Sequence, residues 1–177
     1  MDSKLTDIFS QRLSLKDIKQ IVSKVSLGDF DKTYLWALAN SEDYRIRINA
    51  LWAMTHLAPS EILWLESLQD KLIDKLLTET NVAGRRIILQ LLREQEYKAD
   101  HIRGDFLDFC FSKINAECEP YAIRASCIYC SYKMSRHYPE LIAELNEHLD
   151  ILSYQPVSPG LKSALRQTKT KIDRLNK

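Results

Sequence analysis

One stretch of eleven residues recurs four times along this chain, and its recurrence constrains the fold more than any other feature. The fourth residue of each copy is basic, and the copies follow one another at steps of 38, 39 and 38 residues: Arg47, Arg85, Arg124 and Lys162. Three positions later comes a residue of core size: Ala50, Ile88, Cys127 and Leu165. A period of this length is typical of a solenoid, in which each repeat buries its apolar faces only by stacking on its neighbours.

The apolar residues within and between these copies follow helical spacing almost throughout the chain. The 177 residues include only 4 glycines and 5 prolines, too few for the many turns of a β-sandwich or barrel. Ser14 with Asp17 resembles a capping box, and Gly28 is placed to end the helix that this box begins. The sequence predicts further helices, joined by short turns into antiparallel hairpins, at about 30–39, 43–57, 60–77 (capped by Ser60), 82–95, 102–115, 120–135, 138–152 and 159–175.

The pattern of an apolar first helix, a short acidic turn and a second helix that begins hydrophobic-Arg-x-x-small resembles HEAT-like (armadillo-type) repeats. The copies Ile46-Arg47-Ile48-Asn49-Ala50 and Ile123-Arg124-Ala125-Ser126-Cys127 match best. The second copy departs from the pattern at Gly84 and Ile88, and the fourth copy has Lys162 in place of arginine. The resemblance covers about residues 30–175. It implies an all-α protein of the small bacterial type, an α-α superhelix or short right-handed solenoid of about four HEAT-like helical hairpins.

We expect residues 1–177 to form a single HEAT-like repeat domain. Residues 1–12 are expected to be either a frayed segment or a capping helix. Residues 159–177 carry six basic side chains and one acidic one, although the net charge of the whole chain is only +1. This segment is expected to be a basic C-terminal capping helix, because a terminal repeat needs a polar outer face.

The basic ladder Arg47, Arg85, Arg124 and Lys162 is interpreted as structural. Each residue lies in the first turn of its helix, beside the acidic turn that precedes it, so hydrogen bonding between repeats is the favoured role. The candidate acidic partners are Glu42, Asp43, Glu117 and Glu119. The alternative is that the ladder binds an anion at the helix N-termini.

No catalytic or cofactor motif is present in the sequence. The glycines lie at least 20 residues apart, which excludes a P-loop and a GxGxxG fingerprint. The four histidines form no HExxH motif, and no pair of carboxylates can be nominated as general acid and base. Cys127-x-x-Cys130 lies within a helix at positions that hold alanine in the first copy, which favours core packing. A zinc site with Cys110 and Cys118 is the alternative. We therefore expect no enzyme, no metal and no cofactor.

The amino terminus has no signal-peptide pattern, and no apolar run approaches the length of about 18 residues that a membrane span needs. We therefore expect a cytoplasmic protein that does not bind membranes.

In HEAT-like arrays the second helices line the concave face, and aligning them predicts a recognition surface. Trp52, Gln90 and Tyr129 fall at one position of the repeat, and His56, Glu94 and Lys133 fall four residues later. Aromatic residues and arginine dominate binding hot spots. The predicted partner-binding residues are Arg45, Asn49, Trp52, His56, Arg86, Gln90, Arg93, Tyr129 and Lys133. The alternative is that the aromatic rings pack at repeat junctions and expose only their edges.

The favoured function is a non-enzymatic scaffold that binds a protein or peptide through the concave helical face. One alternative is DNA binding or a DNA alkylation-repair glycosylase, an activity found among HEAT-like bacterial proteins. Glu94 is the only acid on the predicted rows, and the charge balance is poor for DNA, so nucleic acid is disfavoured. A further alternative is an assembly unit that associates through an apolar patch near the amino terminus, formed by Leu5, Ile8 and Phe9.

Overall fold

The computed structural model describes residues 3–175, and within them the regular structure is entirely helical. Eleven α-helices and two short 3-10 turns, at Pro59–Glu61 and Ala99–His101, follow one another along this part of the chain. The α-helices are α1 (Ser3–Ser10), α2 (Leu15–Ser26), α3 (Thr33–Ala39), α4 (Tyr44–Met54), α5 (Ile62–Ser67), α6 (Gln69–Thr78), α7 (Val82–Glu94), α8 (Gly104–Ile114), α9 (Tyr121–Ser135), α10 (Pro139–Ser153) and α11 (Pro159–Leu175).

Local sequence signals set several helix ends. Ser14 accepts a hydrogen bond from the Asp17 N–H while the Asp17 carboxylate accepts one from the Ser14 N–H, which confirms the predicted capping box of α2. Gly28 has a φ of 80° just beyond the end of α2, the left-handed geometry that glycine adopts without strain. Asp43 and Asn81 cap α4 and α7 through side-chain oxygens. Short polar caps thus begin the second helix of the first two repeats.

The helices form two layers around one continuous apolar core. The second helices of the repeats, α4, α7, α9 and α11, lie side by side, each against the next. The first helices, α3, α6, α8 and α10, pack along the other side of this layer. Leu51, Leu89 and Ile128, at one repeat position, are fully buried between the layers. The observed architecture confirms the predicted all-α HEAT-like solenoid.

One predicted helix is broken into two. The sequence predicts a single helix over 60–77 with Ser60 as its cap, whereas the structure has a 3-10 turn that begins at Pro59, followed by α5 and α6 with a break at Leu68. Lys32 contacts Glu61 and lies over the ring of Trp64, which holds α5 against the start of α3. Helix α6 packs instead on α7 and α8. The break lets the two segments follow different neighbours, a tertiary effect that helical periodicity does not encode.

Helix α1 packs against α4 at the amino-terminal end of the array. The Phe9 side chain is fully buried, and the Asn49 amide donates to the carbonyl oxygens of Phe9 and Gln11 at 2.9 Å each. Ile8 is exposed, and the side chain of Leu5 lies outside the described part of the chain. An apolar patch built on all three residues is therefore not formed, because Phe9 belongs to the core.

The basic residue of each of the first three repeats links its own turn to the turn of the next repeat. Arg47 donates from Nη1 to the Ser41 carbonyl oxygen at 2.9 Å, and its Nε lies 3.4 Å from Oε2 of Glu79 in the following turn. Because Ser41 and Glu79 belong to successive turns, one guanidinium fixes the spacing of two repeats.

The next two ladder residues repeat this arrangement. Arg85 donates from Nη1 to Glu119 Oε1 at 3.1 Å. Arg124 is almost completely buried, donates from Nε to the Ile114 carbonyl oxygen at 2.9 Å and donates from Nη2 to the Gln155 side chain. The ladder therefore makes the predicted hydrogen bonds between repeats, but in the direction of the following turn.

The predicted pairing with acids of the preceding turn is wrong. Three of the predicted partners form no ion pair with the ladder within residues 3–175: Glu42, Asp43 and Glu117. Glu119 does pair with a ladder residue, but that residue is Arg85 of the preceding repeat. Lys162 lies in the first turn of α11, is exposed to solvent and forms no ion pair within residues 3–175.

Candidate functional site

The predicted row of aromatic and polar residues is present on the exposed side of the second-helix layer. Tyr129 on α9 donates from its hydroxyl to Gln167 Oε1 on α11 at 3.4 Å, and these two residues occupy the same repeat position. Trp52 and Tyr129 are half-buried and pack against the core, while Gln90 between them is exposed. The row therefore presents two partly exposed aromatic side chains separated by a polar side chain.

The surface around this row contains two adjoining depressions, which we call the groove. The first spans α4, α7 and α9 and has a volume of about 530 Å³. Small side chains at Ala83, Ala122 and Ala125 leave this space open between the helices. The remaining lining residues are Ile48, Trp52, Arg86, Ile87, Gln90, Arg93 and Ser126.

The second depression of the groove lies between α7, α9 and α11 and has a volume of about 350 Å³. It shares Arg93 with the first depression, so the two form one continuous surface. Its other lining residues are Glu94, Tyr129, Tyr132, Lys133 and Lys171. Tyr132 adds a second tyrosine of α9 to the predicted surface, and Lys171 extends it onto α11. Sequence alignment of the repeats could have found Lys171, because it occupies the same repeat position as Lys133.

The groove carries an excess of positive charge, and its cations differ in how far they are neutralised. Arg93 pairs with its neighbour Glu94 at 2.9 Å. Lys133 pairs with Glu96 at 3.2 Å. Arg86 is exposed and makes no ion pair within the described residues. The same is true of Lys171, so Arg86 and Lys171 are the groove cations that are most available to an incoming anion.

Glu96 lies at the edge of the groove and is held ionised there. Burial opposes its charged form, but the hydrogen bond and charge of Lys133, together with Arg136 at 2.8 Å, outweigh burial and lower the pKa of Glu96. The charge of Lys133 is thus partly offset. The Nζ atom of Lys171 lies 5.5 Å from the centre of the Tyr132 ring, a cation-π contact that links α11 to α9 across the second depression.

A third depression, which we call the apolar pocket, adjoins the groove at Gln90 and Glu94. It has a volume of about 370 Å³ and lies between the end of α4, the segment 57–65 and α7. Its apolar lining consists of Met54, Leu57, Ala58, Pro59, Ile62, Leu65 and Leu91. Sequence reasoning missed this pocket, because it depends on the break between α5 and α6 and on the turn after α4.

Three predicted surface residues are placed differently from the rest. Asn49 is buried and both of its amide hydrogen bonds go to the end of α1, so we leave it out of the groove. His56 lies beyond the end of α4, with Nδ1 at 3.1 Å from the Trp52 carbonyl oxygen and its ring edge-on to the Trp52 ring. Arg45 is exposed in the first turn of α4 and does not line the depressions. His56 thus supports Trp52 rather than lining the groove.

The cysteines lie in the core rather than at a reactive site. Cys110, Cys127 and Cys130 are fully buried, while Cys118 is exposed in the turn before α9. Burial raises the pKa of the Cys110 thiol well above its ordinary range, which keeps it protonated and unreactive. Within the part of the chain that the structure describes, no group of three or more His, Cys, Asp or Glu side chains is arranged to hold a metal ion.

Glu94, the one acid on the predicted rows, is the last residue of α7. Its side chain is 65% exposed and is paired with Arg93.

Comparison with known proteins identifies the family. Among residues 3–175, no helix is both long and apolar enough to cross a membrane. No curated protein and no solved structure matches the chain. A sequence model of the HEAT repeat domain matches residues 5–172, nearly the whole chain. HEAT repeats are generally non-enzymatic scaffolds for protein interaction. The repeat spacing, the two helical layers, the arginine ladder and this match together show that the chain belongs to the HEAT repeat domain family.

Proposed function

We propose that this chain is a non-enzymatic scaffold that binds a protein or peptide partner through the groove. The observation that carries this proposal is the continuity of the two depressions across α4, α7, α9 and α11, which share Arg93, with the exposed Arg86 in the first depression free of any ion pair within the described residues. Repeat arrays use surfaces of this kind for extended recognition. Half-buried rings such as those of Trp52 and Tyr129 offer rigid contact area to a partner.

The charge distribution favours a protein partner over nucleic acid. A surface that follows a phosphate backbone needs a stripe of unneutralised cations. In the groove, two of the four cations are neutralised, since Arg93 is paired with Glu94 and Lys133 with Glu96. The two cations without an ion pair within residues 3–175, Arg86 and Lys171, therefore do not form a continuous stripe. The net charge of the chain is only +1. A mixed surface of this type suits the charged side chains of a protein.

The test is affinity capture of partners from the native host with charge-reversed groove variants. Arg86→Glu with Lys171→Glu reverses two exposed cations that line the groove. Arg12→Glu with Lys19→Glu makes the same change of charge at exposed residues outside the groove and serves as the matched control. Both variants are first checked by circular dichroism and thermal unfolding, so that a loss of binding is not a loss of fold.

We expect a protein that is captured by the wild type and the control variant to be lost by the groove variant. Equal capture by all three proteins would place the binding surface elsewhere, and the basic α11 would be the next region to test. Recovery of nucleic acid that nuclease treatment removes, in place of a protein, would support the DNA-binding alternative instead.

A further inference from the structure

We infer that the partner segment is an extended acidic peptide anchored by one apolar side chain. This inference rests on the proposed function and names the chemistry of the partner. It combines the apolar pocket with the cationic groove, which meet at Gln90 and Glu94. A segment that lies in the groove therefore has an apolar pocket beside it.

The apolar pocket fits a single large aliphatic or aromatic side chain. Seven of its ten lining residues are apolar, and its volume of about 370 Å³ exceeds what one such side chain fills, so the backbone beside the anchor also fits. Leu57, Ala58 and Ile62 along its rim are only partly buried, which leaves apolar surface exposed to water in the free protein. Covering that surface with an anchor residue is favourable.

The charges beside the pocket select acidic neighbours for the anchor. Four basic side chains line the groove, Arg86, Arg93, Lys133 and Lys171, against one acidic side chain, Glu94. Carboxylates of a bound segment would pair with Arg86 and Lys171 at no cost to existing ion pairs, because neither is paired within residues 3–175. A segment with basic residues at these positions would be repelled, which gives the groove specificity.

The geometry sets the spacing between anchor and carboxylates. The pocket lies between α4 and α7, and Lys171 lies on α11, two to three helix spacings further along the layer. Packed helices are about 9 Å apart, and an extended chain advances about 3.3 Å per residue. We therefore place the carboxylates from about two to about seven residues away from the anchor.

The test is selection from a phage-displayed library of random peptides of about twelve residues, long enough to cover this span. The immobilised full chain is the target, and the best selected peptide is then measured by fluorescence anisotropy. On the protein side, Ala58→Phe fills the apolar pocket, and Ala37→Phe on the exposed face of α3 is its matched control. Arg86→Glu with Lys171→Glu tests the charges. On the peptide side, the anchor is replaced by alanine and the carboxylates by amides.

We expect selected peptides to share one large apolar residue with carboxylates at the stated spacing. We expect Ala58→Phe, the charge-reversed groove and each peptide change to weaken binding at least tenfold, and Ala37→Phe to leave it unchanged. Peptides that are lost with the charge-reversed groove but carry no anchor, or are unaffected by Ala58→Phe, would overturn this inference while leaving the groove as the binding surface. Peptides that bind every variant equally would overturn both the inference and the proposed function. A library without enrichment would overturn the inference alone, because a short linear segment of this chemistry is represented in it.

Discussion

The carboxylate of Glu79 lies directly over the Cα of Gly84, so close that a Cβ on Gly84 would come within 2.8 Å of its Cδ. The same carboxylate accepts a hydrogen bond from the Asn81 N–H at 2.9 Å and contacts Arg47 of the preceding repeat at 3.4 Å. The equivalent position is apolar in the other repeats, for example Ile123. Gly84 therefore departs from the repeat pattern because the absence of a side chain leaves space for the Glu79 carboxylate, which pairs with Arg47 of the basic ladder.

Gly84→Ala should destabilise the protein despite the better helix propensity of alanine. Alanine gains about 1 kcal/mol over glycine inside a helix. Displacing Glu79 weakens its charge-assisted hydrogen bonds, worth about 1.5–3 kcal/mol. We expect a net loss of about 1 kcal/mol in the free energy of unfolding, measured by urea denaturation.

The control is the same substitution in a Glu79→Ala background. With the carboxylate removed, only the helix propensity remains, and Gly84→Ala should now stabilise the protein by about 0.5–1 kcal/mol. A stabilising effect of Gly84→Ala in both backgrounds would show that the Glu79 contact contributes nothing.

Arg124→Ala should be the most damaging change in the basic ladder. The guanidinium is 2% exposed, and its loss leaves a cavity and an unpaired carbonyl oxygen at Ile114. We expect a loss of about 3 kcal/mol in the free energy of unfolding. Lys162→Ala, at the same ladder position but with an exposed side chain, is the control and should change stability by less than about 0.5 kcal/mol. Equal effects at the two positions would contradict the structural role of the ladder.

The thiols should divide into one reactive and three protected groups. Cys118 is exposed, whereas the other three cysteines are buried. We expect Ellman's reagent to modify one thiol of the native protein quickly and all 4 after unfolding in guanidinium. EDTA should leave the thermal midpoint unchanged. A drop in that midpoint with EDTA, or rapid modification of the Cys127-x-x-Cys130 pair, would contradict the assignment of these thiols to the core and favour a zinc site.

Stability should fall in acid partly through Glu96. Because the folded-state pKa of Glu96 lies below its ordinary value of 4.5, its ionised form stabilises the fold above that pH, and this stabilisation is lost as the pH falls through the lowered pKa. The difference in unfolding free energy between wild type and Glu96→Gln should therefore be largest near neutral pH and vanish in acid. Partial exposure keeps this difference below about 1 kcal/mol. If the difference in unfolding free energy grew as the pH fell, the result would contradict the lowered pKa of Glu96.

The repeat pattern predicts much of this fold because its signals are local. The cap at Ser14, the end of α2 at Gly28 and the period of the ladder are each readable within a few residues. The break in the helix at Leu68 could not be predicted from local sequence, because it depends on contacts with the start of α3 on one side and with α7 and α8 on the other. The ladder partners were misassigned for a similar reason, since Glu79 reaches Arg47 across a repeat boundary.

The candidate site was predicted in part by aligning the repeats. Alignment places Trp52, Gln90 and Tyr129 on one row, and the structure has the first two lining one depression and the third lining the next. Asn49 lies three residues before Trp52 on α4 and was predicted to belong to the same surface, but it is covered by α1, a helix outside the repeats. The apolar pocket depends on the irregular segment after α4, where no periodicity guides a prediction.

The most direct test of the groove as a binding surface is site-specific photo-crosslinking in the native host. A benzophenone amino acid replaces Gln90, which is exposed and lines both the groove and the apolar pocket. The matched control replaces Tyr154, which is 89% exposed in the turn before α11 and lines neither. We predict a discrete protein adduct from position 90, absent from position 154 and lost when Arg86→Glu with Lys171→Glu is added. Adducts from position 154 alone, or none at position 90, would contradict the assignment of the groove as the surface that binds a partner.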